Sequence, residues 1–278
     1  MNPWIAPVAA GLSVALLASC GLGRDPQRTL VRSEDDRFMV ITDPRIKESS
    51  GLAASTAHSD LYYTHNDRGS GPQVFALGED GVVQAVVDLV GAPHVDWEDM
   101  TVLQGGNVWI GDTGGNEEPR SEVSLVWFRE PETVTDGEVP WLSFRLGYQD
   151  GEHDAEALLI DPRDRRKYVV TKDSPAGGIY AAPEKLRQGK VNPLERIGDA
   201  PPNITGASFA PDGESLVMRN YRQAFVYTTI DDTEPTVVEL PQSAKGESIV
   251  LLENGDLLVG SEGTPSEVLR IPAPASTD

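Results

Sequence analysis

The segment "HVDWEDMTV", residues 94–102, joins an apolar alternation to a run of acids. Met100 and Val102 alternate as in a half-buried β-strand, yet Asp96, Glu98 and Asp99 stand at its start. A small or acidic residue followed by an apolar strand recurs in four further segments. These are "ESSGLAA" (48–54), "DAEALLI" (154–160), "ITGASFA" (204–210) and "KGESIVL" (245–251). The segment is therefore one copy of an internal repeat.

Each copy is followed by two further apolar segments, and four of the copies are followed by a third. After residues 94–102 these segments are "VWIGDTG", "EVSLVWFREPE" and "PWLSFRL". Four short strands in each unit of roughly 40–50 residues is the pattern of a β-propeller, in which each unit forms one blade. No helical periodicity competes with this pattern.

The fifth unit lacks a fourth strand, and the alternating segment "RFMVITD", residues 37–43, can supply it. Pairing the two ends of the chain would close the ring and remove two exposed sheet edges. The sequence therefore predicts an all-β fold, a five-bladed β-propeller closed by an N-terminal strand. A six-bladed propeller is the alternative, but it needs a sixth unit that the sequence does not show. A β-sandwich would not explain the five-fold register.

The first residues form an export signal. "WIAPVAAGLSVALLAS" is an apolar run that ends in small residues, as in the h-region of a signal peptide. The run ends in "LASC", which resembles the bacterial lipobox, in which the cysteine is lipidated and becomes the new N-terminus. We therefore predict a lipoprotein signal peptide over residues 1–19, a lipidated Cys20 with a polar tether over 20–36, and a propeller domain over 37–278. Cys20 is the only cysteine, so disulfides cannot stabilise the fold.

The charge balance limits the partners of the chain. It has 23 Lys and Arg against 44 Asp and Glu, a formal net charge of −21. Nucleic acid and anionic membrane surfaces would be repelled, so neither is expected as a partner. We expect a monomer that contacts the membrane through its lipid anchor only, with an unknown small molecule or envelope protein as partner. The acidic surface also serves solubility.

The acids at the strand starts are expected to converge. In an antiparallel hairpin the start of the first strand lies beside the end of the second, and the first strand of each blade lines the central channel. Asp96, Glu98 and Asp99 should therefore sit at the rim of the channel, where water reaches them. Aligning the units places His65, Asp112, Lys172, Asn220 and Ser261 at the ends of the second strands. The predicted ligand-binding residues at this channel mouth are His65, Asn66, Asp96, Glu98, Asp112, Glu156, Lys172, Arg219, Glu247 and Glu262.

Three interpretations of this cluster remain open. The side chains can cap strand ends and pair across the channel, with Lys172 and Arg219 neutralising the acids. Hard oxygen ligands such as Glu98, Glu156 and Asp112 would also suit Ca²⁺, which is the candidate cofactor, although the spacing assigns no metal ligand. Two carboxylates with a His or Lys could serve as acid and base, but no nucleophile motif or phosphate loop supports catalysis.

A family resemblance rests on "SSGLAAS", "DLYYTHNDRG", "DWEDM", "VWIGDTGGN", "DAEALLIDP", "TGASFAPDG" and "GES". Over about residues 48–262 the chain resembles an uncharacterised family of bacterial secreted and lipoprotein β-propellers. More distantly it is similar to the esterase-like phytase and SdiA-regulated propeller groups. The resemblance implies a propeller with these motifs at the channel mouth and no established activity. Gly115 stands where a second acid is expected in the "GDTGGN" turn, which weakens a metal role there.

These observations predict a lipid-anchored, extracytoplasmic β-propeller that binds a ligand at its polar channel mouth. A metal-assisted hydrolase of an ester or glycan is one alternative, and an interaction scaffold in the cell envelope is another. The sequence leaves open whether the protein is an enzyme.

Overall fold

The structure, a computed structural model, describes residues 36–115, 118–243 and 245–273, together with Met1. Residues 2–35, which hold Cys20 and nearly all of the predicted signal peptide and tether, lie outside the described residues. Within the described ranges the chain forms β-strands and no α-helix. The part of the chain that the structure describes contains no helix with the length and apolarity that a membrane crossing requires.

The first ten strands are β1 (Arg37–Ile41), β2 (Ser49–Ala54), β3 (Leu61–Asn66), β4 (Gln73–Gly78), β5 (Val83–Asp88), β6 (Trp97–Leu103), β7 (Asn107–Asp112), β8 (Glu122–Arg129), β9 (Gly137–Glu138) and β10 (Trp141–Tyr148). The next six are β11 (Ala155–Ile160), β12 (Lys167–Thr171), β13 (Gly177–Ala181), β14 (Val191–Ala200), β15 (Gly206–Phe209) and β16 (Leu216–Arg219). The last five are β17 (Gln223–Tyr227), β18 (Thr236–Glu239), β19 (Gly246–Leu251), β20 (Leu257–Ser261) and β21 (Ser266–Ile271).

These strands form four sheets. Their orders are β2-β3-β4-β5-β9, β11-β12-β13-β14-β10-β8-β7-β6, β15-β16-β17-β18 and β1-β21-β20-β19. The eight-stranded sheet consists of two four-stranded sets, which join where β10 and β14 run parallel. Short β9, which the sequence did not predict, runs parallel to β5 and covers the outer edge of its set.

In each four-stranded set, the strand at one edge faces the middle of the molecule. These inner strands are β2, β6, β11, β15 and β19. Each contacts the next, and β19 contacts β2, so the contacts close into a ring. The fold is therefore all-β and propeller-like.

The hydrophobic core is divided among neighbouring sets. Among the described residues, five clusters of buried side chains are present, and each combines apolar side chains from two adjacent sets. Fully buried Trp97 packs between the first and second sets, and Met39 and Ile41 of β1 pack against Leu52 and Phe75 of the first set. Strand β1 pairs antiparallel with β21, with Ile41 opposite Ser266. The predicted fourth strand of the last unit thus lies where that set needs it.

Candidate functional site

Three glutamates occupy one structural position at the start of three inner strands. Pairing of β6 with β7 shifts register between Trp97 and Asp99, which leaves Glu98 as the extra residue of a β-bulge. Glu156 takes the same place in β11, and Glu247 lies within the corresponding shift of β19. A bulge leaves its extra residue outside the ladder and redirects its side chain. We call this end of the ring, with Asp96, Glu98, Glu156 and Glu247, the acidic mouth.

The acids of the opening segment are buried. The residues Asp96 and Glu98 are each 4 % exposed and Asp99 is 1 % exposed, so the prediction that water reaches them at the rim is wrong. The reason is the narrow ring, which brings neighbouring inner strands close. A Cβ atom on Gly114 would lie 2.0 Å from Glu98 Oε1 and 2.6 Å from Asp96 Oδ2. A side chain at Gly114 would therefore force both carboxyl groups to move from their present positions.

Asp99 links three inner strands below the mouth. Its Oδ2 accepts hydrogen bonds from the backbone N–H of Leu158 in β11 (2.9 Å) and of Ala207 in β15 (3.2 Å). Its Oδ1 accepts one from the Met100 N–H at 2.8 Å. Burial raises the pKa of Asp99 to about 8 despite these three donors, which act in the opposite direction. Asp99 is therefore a structural element of the ring.

The mouth glutamates are held together against their own repulsion. Burial, followed by the Glu156 and Asp96 carboxylates, raises the pKa of Glu98 well above its ordinary value. Burial also raises the pKa of Glu156 to about 8, against the opposing effect of Lys172. For Glu247, burial raises the pKa to about 7, again opposed by Lys172. Two causes, lost hydration and like charge, therefore favour the protonated form of each acid.

Lys172 provides the ammonium group at this mouth. Its Nζ forms an ion pair and hydrogen bond with Glu156 Oε1 and lies 5.5 Å from the centroid of the Tyr221 ring. Burial acts to lower the pKa of Lys172, but the Glu156 carboxylate outweighs it and raises that pKa above the ordinary value. The second oxygen, Glu156 Oε2, is buried and has no hydrogen-bond partner among the described residues. One oxygen of this carboxylate is therefore buried without a compensating hydrogen bond from the described residues.

Arg219 attracts Glu247 and so opposes the rise in pKa that burial causes there, but its hydrogen bonds go to the backbone. Its guanidinium is buried and donates to the backbone carbonyls of Ser248 (3.1 Å), Gly260 (3.1 Å) and Asn220 (3.2 Å). Burial lowers its pKa to about 10, against the attraction of Glu247. The cation thus fastens β16 to β19 and β20, and the mouth has more carboxyl groups than cations to pair with them.

The alignment of units predicted which residue of each second strand lies opposite the start of the inner strand. In three units the structure places a neighbouring residue there instead. We call the five observed positions the second-strand column. The residues opposite the inner-strand starts are Asn66, Asp112, Thr171, Arg219 and Ser261. His65, Lys172 and Asn220 are each one position away from this column. Because four of the five inner strands contain a register shift here, equal spacing in sequence does not give equal positions in the ring.

His65 and Asn66 serve the scaffold. His65 is fully buried, its Nδ1 lies 3.1 Å from the Asn66 carbonyl oxygen, and burial lowers its pKa to about 4. The Asn66 side chain accepts from the N–H groups of Lys47 (2.8 Å) and Glu48 (3.0 Å) and donates to the Arg45 carbonyl (3.0 Å). These three hydrogen bonds of the Asn66 side chain hold the loop before β2.

Asp112 is also a scaffold residue. Its Oδ1 accepts from the Asp96 N–H at 3.0 Å and from Arg120 Nη1 at 3.0 Å, and its Oδ2 accepts from the Ser124 hydroxyl at 3.2 Å. The side chain is essentially unexposed. Asp112 thus fixes the turn that carries Asp96 to the mouth.

Asp67, which the sequence analysis missed, and the predicted Glu262 extend the acidic mouth. Burial, together with a hydrogen bond to Glu48, raises the pKa of Asp67 to about 8. Glu262, which was predicted, forms an ion pair with Lys245 at 2.8 Å between Nζ and Oε2. Asp67 immediately follows the predicted His65 and Asn66, so extending the column by one residue would have found it.

No group of three His, Cys, Asp or Glu side chains within the described ranges is arranged to hold a metal ion. The three glutamates of the mouth come from separate inner strands.

The comparisons with known proteins support the fold alone. The chain is similar to a crystal structure of glucose dehydrogenase, with a TM-score of 0.50 and 10 % sequence identity over 84 % of this chain and 99 % of that one. No protein-family model matches this chain, and no curated protein matches it either. At this identity the likeness supports a propeller-like architecture and says nothing about the chemistry of the mouth.

Proposed function

We propose that the chain is a lipid-anchored, extracytoplasmic, five-bladed β-propeller that binds a small organic cation at its acidic mouth. The count of blades is supported by the five four-stranded sets and by the five cores between them. Closure of the ring by an N-terminal strand is supported by the pairing of β1 with β21. The resemblance to secreted and lipoprotein propellers fits this architecture.

The ligand assignment rests on the hydrogen bonding of the Glu156 carboxylate. One of its oxygens binds the ammonium of Lys172, and the other is buried without a hydrogen-bond partner among the described residues. Glu98 and Glu247 each lie near enough to Glu156 for their carboxylates to repel it. A ligand ammonium placed between these acids would repeat the contact that Lys172 already makes. It would also relieve the repulsion that now raises their pKa values.

A hydrolase is the second candidate, and the raised pKa values favour it. Glu156 and Glu247 have pKa values of about 8 and about 7, so each can carry a proton at neutral pH and act as a general acid. Turnover of a neutral ester or glycoside that Glu156→Gln abolishes would support this function over simple binding.

We expect spermidine to raise the melting temperature of the chain from residue 20 onward, measured at pH 8. A ligand that binds only the folded state adds about 2.7 kcal/mol at a hundredfold excess over its dissociation constant. Combining Glu98→Gln with Glu156→Gln should remove the increase, because both substitutions keep side-chain volume and delete charge. Exposed Glu195 in β14 provides the matched control, Glu195→Gln, which should retain it.

Calcium is the comparison ligand in the same assay. An increase with Ca²⁺ that disappears in the double variant, with no effect of spermidine, would replace the organic cation by a metal. An increase with either ligand that survives the double variant would show that the acidic mouth is not the site.

The anchor prediction concerns Cys20 and the direction in which the mouth faces. Strand β1 runs from the opposite end of its set toward the mouth, since Arg37 pairs with Leu269 and Ile41 with Ser266. A tether that joins Arg37 therefore leaves the fold at the end away from the mouth, and the mouth faces away from the membrane.

Cys20→Ala should release the protein from the membrane fraction. Retention of this variant after a carbonate wash would contradict lipidation at Cys20.

A further inference from the structure

A cavity of about 330 Å³ lies at the end of the ring opposite the acidic mouth. It is lined by the last residues of the inner strands and by the turns that follow them. Every inner strand contributes to its wall, through Leu52, Met100, Ile160, Phe209 and Val250. The cavity is therefore a feature of the whole ring, centred on the same axis as the mouth.

Asp99 separates the two ends. Its carboxyl group spans from β6 to Leu158 of β11 and Ala207 of β15, and the next residue, Met100, already lines the cavity. The mouth acids Glu98 and Glu156 lie on the other side of this link, earlier in their strands. The two ends of the ring can therefore be altered independently.

The lining of the cavity contains no charged side chain, although 24 % of the residues in the chain are charged. Its deep wall is apolar, with Leu52 and Met100 each 2 % exposed, and its outer part includes the half-buried Val102 and Leu252. Polar groups from Thr101 and Gln104 are also part of the lining.

A nearby acid, Glu130, is occupied by the protein itself. It accepts from the N–H and hydroxyl of Thr56, each at 3.1 Å, and from the hydroxyls of Ser55 and Tyr63. Glu130 is 6 % exposed and does not line the cavity. The cavity wall is therefore uncharged, and it combines apolar side chains with the polar side chains of Ser55, Thr56, Thr101, Gln104 and Ser208.

We propose that this cavity binds an uncharged, mainly apolar small molecule. Its volume lies in the range of about 300–1,000 Å³ that small-molecule sites occupy, and an apolar wall with a few polar groups is typical of such sites. A charged ligand would lose its hydration here without gaining a partner, while an apolar ligand gains free energy from the surface that it removes from water. Thr101 and Gln104 can orient one polar group of the ligand.

The test uses N-phenyl-naphthylamine, a neutral fluorescent probe, with its sulfonated analogue as the charged comparison. The chain from residue 20 onward, which keeps every strand, should bind the neutral probe saturably at one site and bind the sulfonate at least about tenfold more weakly. Val102→Glu should weaken binding of the neutral probe by about tenfold or more, because it places a charge in the wall. Ala54→Trp should do the same by filling the cavity.

Two controls make the outcome decisive. Val82 is 57 % exposed and lies outside the cavity, so Val82→Glu adds the same charge elsewhere and should leave probe affinity within about twofold. Exposed Glu195 also lies outside the cavity, so Glu195→Gln should leave probe affinity unchanged as well. The proposal is overturned if the wild-type chain binds no neutral probe saturably. It is equally overturned if folded Ala54→Trp keeps wild-type affinity, or if Val82→Glu weakens binding as much as Val102→Glu does.

Discussion

A chain that begins at Ser49 is expected to aggregate or to lose its cooperative melting transition. This truncation removes β1 and the loop that follows, and with them Met39, Ile41 and Ile46, whose exposed fractions are 2 %, 1 % and 0 %. Burying one large apolar side chain contributes about 1.5–3 kcal/mol, so the three together contribute about 5–9 kcal/mol. That is comparable with the whole stability of a typical domain, about 5–15 kcal/mol.

The truncation also removes β1 from the edge of β21, so an unpaired strand edge is exposed to other chains. The matched control is a chain that begins at Asp36, which lacks residues 1–35 but keeps β1. It should remain soluble and melt as the longer chain does. Circular dichroism melting of the two truncations checks the prediction. A Ser49 truncation that melts at the same temperature as the Asp36 truncation would contradict closure of the ring by β1.

The second large effect is a loss of stability as the pH rises from 6.5 to 8.5. An acid whose pKa is higher in the folded than in the unfolded state binds its proton more tightly when folded, so the folded state is favoured at low pH. Asp67, Asp99 and Glu156 have folded-state pKa values of about 8, and that of Glu247 is about 7. Their contributions therefore decline from the ordinary carboxyl range up to about pH 8.

The lower limit of this window follows from the histidines. Burial lowers the pKa of His65 to about 4 and also lowers that of His94. A histidine with a lowered folded-state pKa stabilises the fold as the pH rises, but this effect is complete above its unfolded value of about 6.5. Above that pH the carboxyl groups dominate.

Melting temperatures at pH 6.5, 7.5 and 8.5 test this prediction. The wild-type protein should melt at progressively lower temperature, and the variant with Glu98→Gln and Glu156→Gln should show a smaller decrease. A melting temperature that rises over this interval would show that the mouth acids are ionised without cost.

The repeat made most of the fold predictable. Each apolar segment of the units near 48–54, 94–102 and 154–160 forms an inner strand, and residues 37–41 pair with the last set as the missing strand required. Hydrophobic alternation determines strands because burial determines which face is apolar. Strand β9 was missed because two residues, Gly137 and Glu138, give no periodicity to detect.

The site was predicted in part. Glu98, Glu156 and Glu247 share one register, as the alignment of units indicated, and Lys172 lies among them. The bulges explain what went wrong. An extra residue in the inner strand changes which second-strand residue lies opposite, and for this reason His65 and Lys172 each lie one position away from the residue opposite the strand start.

Burial was the other property that the sequence did not reveal. A run such as Asp96, Glu98 and Asp99 ordinarily indicates a solvated strand end. Here the close packing of five inner strands encloses these side chains, and backbone N–H groups of other strands, at Leu158 and Ala207, bind Asp99. Contacts between residues 59 and 108 positions apart are set by the ring and cannot be found in a local pattern.

The central claim is that the acidic mouth binds an organic cation, and calorimetric titration with spermidine at pH 6.5 and pH 8.5 tests it most directly. Ionisation of Glu156 and Glu247 over this interval should increase affinity, because each proton lost adds a negative charge beside the ligand. We predict tighter binding at pH 8.5 than at pH 6.5, and none in the variant with Glu98→Gln and Glu156→Gln. Absence of binding to the wild-type protein at both pH values, or equal affinity in the variant, would contradict the claim.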